Sequence, residues 1–391
     1  MRILFLTFYY PPDLCAGSFR AFSIVQALLE KAPESLEIEV LTTTPNRYKS
    51  VKTFQNKNNN VARLKITNIP ISDHNSRMLD QSISFFWFAA GVLKRTKKKR
   101  WDMIIATSAR LMTGALATFI SKRHGIPLYL DIRDLFTLNF QDISKGKFYN
   151  FLNPVFYALE KWTLNNASKI NLISQGFLTH ANKIRPGFHY TTFPNGLDKE
   201  FQNLKFSTSK RGKKCPLILY AGNIGEGQGL HKIIPSIGKI LQGKAEFLII
   251  GDGGCKKKLQ EKIKKSQLRN VKIMPPVPRE DLIGHYFKAD ILFIHLNSYE
   301  SLERVLPSKV FEYAATNKPI LAGVSGYTKA FIEAEMTATE IFQPCDESSF
   351  LDALEKISSI AEPINREVFC KKFERAKITK DMAKDILSLI S

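Results

Sequence analysis

Acidic residues, paired cysteines and long apolar runs are all scarce in this chain, and each shortage removes a class of answer. Asp and Glu number 36 against 57 Lys and Arg, a net charge of +21. So lopsided a balance calls for a negatively charged partner. The five cysteines, Cys15, Cys215, Cys255, Cys345 and Cys370, are odd in number, widely spaced and without a CxxC pair. That argues against a disulfide framework or a zinc site and suits a reducing cytoplasm. The seven histidines form no HExxH or paired-ligand spacing, and no DxD, GxSxG or Cys–His nucleophile pattern occurs. The expectation is therefore no metal and no cofactor. No stretch reaches the roughly 18 apolar residues of a membrane span. The apolar start, Arg2 to Thr7, is short and meets Pro11 and Pro12 at once, which reads as a buried strand, not a signal peptide.

What is present is an alternation. With 391 residues the chain is too long for one ordinary core and suits two domains. Short apolar runs at Arg2–Thr7, Leu36–Thr42, Val61–Ile69, Met103–Thr107, Leu128–Ile132 and Lys169–Ser174 predict strands. Helical patterns over Phe19–Lys31, Leu111–His124 and Tyr149–Asn166 separate them. This order implies an α/β fold with a doubly wound parallel sheet. Turn chemistry at Phe193–Asp198 closes the first half. The second half restarts at Leu217–Gly222 and continues through Ala245–Ile250, Val271–Met274, Ile291–Ile294 and Ile320–Ala322. The expected domains are 1–198, a polar and basic linker 199–214, 215–370, and a last helix from about Lys371 to Leu389.

Two segments of the second half carry chemistry. Leu306-Pro307-Ser308-Lys309-Val310-Phe311-Glu312-Tyr313 reads as a helix start after a buried strand. A helix N-terminus offers free N–H groups and partial positive charge to a phosphate, and Lys309 adds a full charge. Glu312, one turn on, faces the same side and suits a ribose diol. The loop Gly222-Asn223-Ile224-Gly225-Glu226-Gly227-Gln228-Gly229 has the glycines that let backbone N–H groups approach a phosphate. Together they describe a nucleoside diphosphate site.

These two motifs resemble the donor site of the GT-B glycosyltransferases of family 4, in particular a bacterial surface-polysaccharide subgroup. The resemblance implies two Rossmann-like domains facing across a cleft, with donor-binding residues Gly222, Asn223, Gly225, Gln228, Arg279, Ser308, Lys309 and Glu312. Arg279 lies in the segment whose backbone usually reads the donor base. Most of the family places an Arg near Asn223 and a Lys near Gln228. Both are absent here, which shifts charge neutralisation to Lys309 and Arg304. Counting back eight positions from Glu312 gives Arg304 where the family has its first glutamate, so Glu303 is the candidate for that role. In the first domain, the loop Tyr9–Arg20 resembles the acceptor-side loop, with Gly17, Ser18 and Arg20 as its site residues. Ser18 capping the next helix, or Arg20 pairing with a neighbouring acid, is the plainer account of either residue. Asp131-Ile132-Arg133-Asp134 stands where many members carry His-Asp. Asp131 and Asp134 are the candidates to orient or deprotonate the acceptor, with Arg133 in the histidine's place. An internal Asp–Arg pair is the competing account of these charges.

The implied activity is retaining transfer of a hexosyl or N-acetylhexosaminyl group from a nucleotide sugar, often UDP-linked, to a lipid-linked saccharide acceptor. Metal independence suits it, because basic side chains and backbone dipoles replace the ion. Ile83 to Leu93, rich in aromatics, precedes the cations Lys94 to Arg100. That order resembles an interfacial anchor on an anionic inner-membrane surface. A core helix with a solvated basic end competes with it. No aromatic pattern interleaves with the lysines as RNA binding requires, so nucleic acid is not the expected partner. A GT-B nucleotide-sugar 2-epimerase and a non-catalytic basic nucleic-acid-binding protein are the rival functions.

Overall fold

Every residue of strand β1 (Arg2–Thr7) after Arg2 is buried. A run apolar on both faces belongs in the middle of a parallel sheet covered by helices on either side. The computed structural model places it there; it describes residues 1–13, 15–45, 60–71, 78–108, 110–143, 147–202, 204, 214–360 and 364–390. After β1 come α1 (Ala16–Lys31), β2 (Glu37–Thr43), β3 (Asn60–Val61), β4 (Leu64–Ile69) and α2 (Met78–Thr96). Then follow β5 (Met103–Ser108), α3 (Leu111–His124), β6 (Leu128–Ile132), α4 (Phe136–Ile143) and α5 (Lys147–Asn165). Finally, β7 (Lys169–Leu172), α6 (Leu178–Ile184) and β8 (Tyr190–Thr191) complete the sheet. Its order is β3-β4-β2-β1-β5-β6-β7-β8. Only the short β3 runs antiparallel to its neighbour. Helix α3 ends as its sequence suggests, on Gly125 at φ 64°, the left-handed conformation glycine adopts without strain.

The second sheet contains β9 (Leu217–Ala221), β10 (Glu246–Ile250), β11 (Val271–Met274), β12 (Ile291–His295), β13 (Ile320–Gly323) and β14 (Thr339–Phe342). Helices α7 (Leu230–Ile240), α8 (Lys256–Lys265), α9 (Arg279–Lys288), α10 (Lys309–Ala314), α11 (Gly326–Glu335), α12 (Glu347–Ser358) and α13 (Glu367–Lys372) connect and follow these strands. The order is β11-β10-β9-β12-β13-β14, parallel throughout. The last helix, α14 (Arg375–Leu387), packs Met382, Ala383 and Ile386 into the same core as Ile24, Val25 and Leu28 of α1.

The chain divides into two compact units. One comprises Met1–Asn195 with Arg375–Ser391, the other Gly196–Glu374. The expected linker 199–214 is partly a piece of unit two: residues 199–201 form a 3-10 turn that buries Phe201. Residues 203 and 205–213 of that stretch lie outside the described residues. The single helix expected over 371–389 is two, α13 and α14, interrupted at Phe373 and Glu374.

Each sheet has a point where its strand order reverses. In unit one it lies between β1 and β5, in unit two between β9 and β12. Ligands of open α/β sheets sit at this point, beyond the carboxyl ends of the strands. What leaves β1 there is the segment from Tyr9 that leads into the first turn of α1 with Gly17, and what leaves β9 is the glycine loop Gly222–Gly229.

Candidate functional site

In unit two the site is built from the loop after β9 and the start of α10. Gly222 has φ 145° and Gly251, on the neighbouring loop after β10, φ 158°. A Cβ on Gly251 would strike the Gly222 carbonyl, and a Cβ on Gly222 would strike Lys309 Nζ. Both glycines are thus required by close approach as well as by conformation. The loop braces itself. Asn223 Nδ2 donates to Gln228 Oε1 at 2.7 Å, which also accepts from the Gly225 N–H at 3.3 Å. Asn223 and Gln228 therefore hold the loop's shape.

Lys309 lays its ammonium over the loop. It donates to Tyr220 Oη at 3.3 Å and sits 4.7 Å from that ring's centroid, a cation–π distance. Tyr220 Oη in turn donates to the Asn223 carbonyl at 2.6 Å. Burial pushes the Lys309 amine down to about 8, against a smaller upward pull from Glu312. Such a cation is poorly compensated, and an anion placed against Gly222 would complete it.

Glu312 is held from both sides. Arg279 Nη2 lies 3.6 Å from Oε1, and Tyr286 Oη donates to Oε2 at 3.4 Å. Arg279 also pairs with Asp198, lies 3.9 Å from Glu200, and covers the Phe201 ring at 4.9 Å. Burial alone would lower its pKa; Glu312 and Asp198 outweigh that and raise it. The Arg279 side chain is thus committed to carboxylates and orients Glu312. Arg304 is likewise committed, donating to Glu300 Oε1 at 3.0 Å and to the Glu300 carbonyl at 2.9 Å. That pair is a local i,i+4 one, with Glu300 largely exposed. Glu303 is exposed on the 3-10 turn Glu300–Arg304, where its backbone and Cβ would meet a Cβ on Gly326. Ser308 precedes α10 and makes no side-chain cap bond. Sequence reasoning missed Tyr220, Tyr286 and Asp198, since aromatic and turn residues carry no spacing signal of their own.

In unit one the expected trio separates. Arg20 and Asp131 are both fully buried and face each other in a two-point pair, Nε to Oδ2 and Nη2 to Oδ1, each 2.8 Å. Arg20 also donates to the Pro194 and Phe193 carbonyls, and Asn171 Nδ2 donates to Asp131 Oδ1 at 2.7 Å. A carboxylate so saturated, with no exposed surface, is not placed to take a substrate proton. This corrects the reading of Asp131 as an acceptor base and of Arg20 as an acceptor ligand; together they stitch α1 to β6. Arg133 takes a different position. A Cβ on Gly17 would collide with its Nη1, and its Nε is buried without a hydrogen-bond partner. Burial lowers its pKa, with Asp131 pulling the other way. Ser18 Oγ is buried and also without a partner, and Ser18 does not cap α1, whose cap position is Cys15. Asp134 is exposed and accepts from the Leu135 N–H at 3.0 Å and from Asn139. Unit one therefore gathers Gly17, Ser18 and Arg133, with unused donors, beyond the ends of β1 and β6.

Residues 201–372 match the family model for glycosyl transferases group 1. That stretch holds both the Gly222–Gly229 loop and the Leu306–Tyr313 segment, and the two-unit fold is of the GT-B type. A curated relative is WcaI of Escherichia coli (strain K12), a proposed colanic acid biosynthesis glycosyl transferase, 25% identical over 249 residues. The aligned region is 59% of this chain, and the chain spans 60% of that relative's length. Among solved structures, Anabaena Alr3699/HepE in complex with UDP and glucose superimposes with a TM-score of 0.68 at 15% identity, covering 99% of this chain and 100% of that one. WaaG, a glycosyltransferase involved in lipopolysaccharide biosynthesis, gives 0.70 at 14% identity over 98% and 99%. At these identities the two structures establish the fold.

On the surface of unit one, the aromatic segment divides by helical phase. Phe85, Phe88 and Val92 of α2 are buried, whereas Ile83, Phe86 and Trp87 are 52%, 65% and 54% exposed. Ile83, Phe86, Trp87 and Ala90 recur at the three- and four-residue spacing of one helix face. Of the following cations, Lys99 is drawn to Glu39 at 2.7 Å, while Lys94, Lys97, Lys98 and Arg100 are exposed. Among the described residues no helix is long and apolar enough to cross a membrane.

Proposed function

We propose that this protein is a retaining glycosyltransferase that moves a sugar from a UDP-linked donor to a lipid-linked saccharide in surface-polysaccharide assembly. The observation that carries the reading is the Lys309 ammonium poised over Gly222 at the switch point of unit two. In the proposed complex the donor diphosphate lies against the Gly222–Gly229 backbone and Lys309. Glu312, fixed by Arg279 and Tyr286, accepts the ribose hydroxyls. A preorganised cation and backbone donors stabilise the charge that builds on the leaving diphosphate, the work a metal does in other transferases. Retention then needs no covalent enzyme nucleophile: the departing diphosphate oxygen takes the acceptor proton on the face it leaves. Gly17, Ser18 and Arg133 bind on the acceptor side, and Asp134 is the exposed carboxylate available to orient the acceptor.

The exposed Ile83–Phe86–Trp87 stripe with Lys94, Lys97, Lys98 and Arg100 suits peripheral attachment to an anionic cytoplasmic leaflet, which is where a lipid-linked acceptor resides. Each cation near such a surface contributes about 1 kcal/mol.

Two measurements test the proposal. UDP or a UDP-sugar should raise the apparent melting temperature, because it binds only the folded chain; no shift with any nucleotide diphosphate sinks the donor site. Wild-type protein should bind anionic liposomes at low salt and release as salt screens the charges. Charge reversal at Lys97 and Lys98 should weaken this binding, and Trp87→Ala should weaken what persists at high salt. Indifference of the wild type to anionic liposomes removes the membrane part and leaves the donor part standing.

A further inference from the structure

Beside the glycine loop of unit two lies a cluster that the transfer reaction does not use. Glu226 comes from the loop after β9, His231 from the first turn of α7, and Cys255 from the residue that precedes α8. Their ligand-capable atoms all lie within 4.8 Å of one another. Cys255 Sγ is 3.2 Å from Glu226 Oε2, and His231 Nε2 is 3.6 Å from the same oxygen. Tetrahedral zinc with sulfur, nitrogen and oxygen ligands sets these atoms roughly 3.3–3.6 Å apart. His231 is 1% exposed, yet neither ring nitrogen has a hydrogen-bond partner. A buried imidazole left unsatisfied on both sides points to a missing ligand.

We propose that Glu226, His231 and Cys255 bind a zinc ion that pins the Gly222–Gly229 loop to the starts of α7 and α8. The protonation states of His231 and Glu226 fit. Burial lowers the His231 pKa, favouring the neutral imidazole that ligates metals. Although burial pushes Glu226 up, hydrogen bonds from Cys255 and Tyr299 prevail and keep it ionised. Binding releases the thiol proton, so the carboxylate and thiolate balance the two charges of the ion. In the empty site burial and the Glu226 carboxylate push the Cys255 thiol up to about 11, with Lys258 and Lys232 pulling weakly the other way, so the ion must displace that proton. Tyr299 donates to Glu226 Oε1 at 2.9 Å, the outer-shell support that holds a ligand in place. Three protein ligands leave the fourth position to water. Positions 226, 231 and 255 follow no finger or ribbon spacing, because three separate elements supply them.

The test needs no substrate. Protein purified without chelator is assayed for metal content, then stripped and titrated with zinc chloride or cobalt(II) chloride alone. The expected result is about one zinc per chain, a rise in melting temperature of several degrees on adding zinc, and a thiolate-to-cobalt charge-transfer band. Cys255→Ser should abolish the band, and His231→Ala should lower zinc affinity at least tenfold. No zinc-dependent shift and no band in the wild type overturns the proposal. So does wild-type zinc content in both variants, which places the ion elsewhere. If either variant fails to fold, the wild-type cobalt spectrum decides alone.

Discussion

Both units hold a cation on an element near the switch point, Arg20 on α1 and Lys309 on α10, but they treat its charge differently. In unit one Arg20 meets a carboxylate of equal burial, Asp131, two-point and fully enclosed. In unit two Lys309 meets a tyrosine hydroxyl and ring, with its nearest carboxylate, Glu312, already tied to Arg279 and Tyr286. A buried cation with an internal carboxylate is a structural element. A half-buried one without it is an unfinished pair, and a ligand can finish it. Motif spacing alone does not separate the cases; the partner does.

The comparison breaks most decisively at Asp131. Asp131→Asn leaves Arg20 buried and uncompensated, so the fold should lose about 3–5 kcal/mol. Chemical denaturation would show it, and a normally stable variant with reduced turnover would return Asp131 to the catalytic list.

A smaller but still local effect is expected at Gly222. Gly222→Ala strains a residue at φ 145° and drives a methyl group into Lys309 Nζ. The strain amounts to about 1–3 kcal/mol, and the displaced amine should weaken UDP binding well beyond that loss of stability. Calorimetry that finds affinity intact would show that the loop is not the diphosphate cradle.

Lys309→Met sharpens the contrast with Asp131. Removing a half-buried charge that has no carboxylate hydrogen-bonded to it should leave stability unchanged or raised, while UDP affinity falls by about 1.5–3 kcal/mol, the worth of a hydrogen bond to a charged group. If the variant instead unfolds like Asp131→Asn, the two switch points are alike and the donor reading fails.

The smallest signal concerns protons. Burial holds the Lys309 amine at about 8 when folded against 10.5 unfolded. Between those values the unfolded state carries a proton that the folded state lacks, so this group makes stability rise with pH across that window. A bound diphosphate raises the folded pKa again. UDP affinity should therefore decline as pH climbs through about 8, and binding at about pH 9 should take up a fraction of a proton. Titrations in buffers of different ionisation enthalpy measure it; Lys309→Met should show none.

What the sequence determined by itself is the architecture and the local form of the 222–229 loop and the 306–313 helix start. Strands such as Arg2–Thr7 and Ile291–His295 are continuous apolar runs because both sheet faces are covered. The glycines of 222–229 and the Lys309–Glu312 spacing are local properties of a loop and a single helical turn. Where local pattern was weak the elements escaped: β14 is a half-exposed edge strand with only Phe342 buried, and the break between α13 and α14 falls within a stretch of otherwise helical composition. Tertiary structure alone decided the partners. Asp131 finds Arg20, 111 residues away, rather than its near neighbour Arg133. Arg279 is enclosed by Asp198 and Glu200 from one turn and Glu312 from α10. His231 and Cys255 come within reach of Glu226 from separate elements. A buried charge takes the oppositely charged group that the fold brings into contact, since an unpaired charge in a low-dielectric interior is far less stable than a paired one. That choice depends on distance in space, which spacing along the chain does not encode.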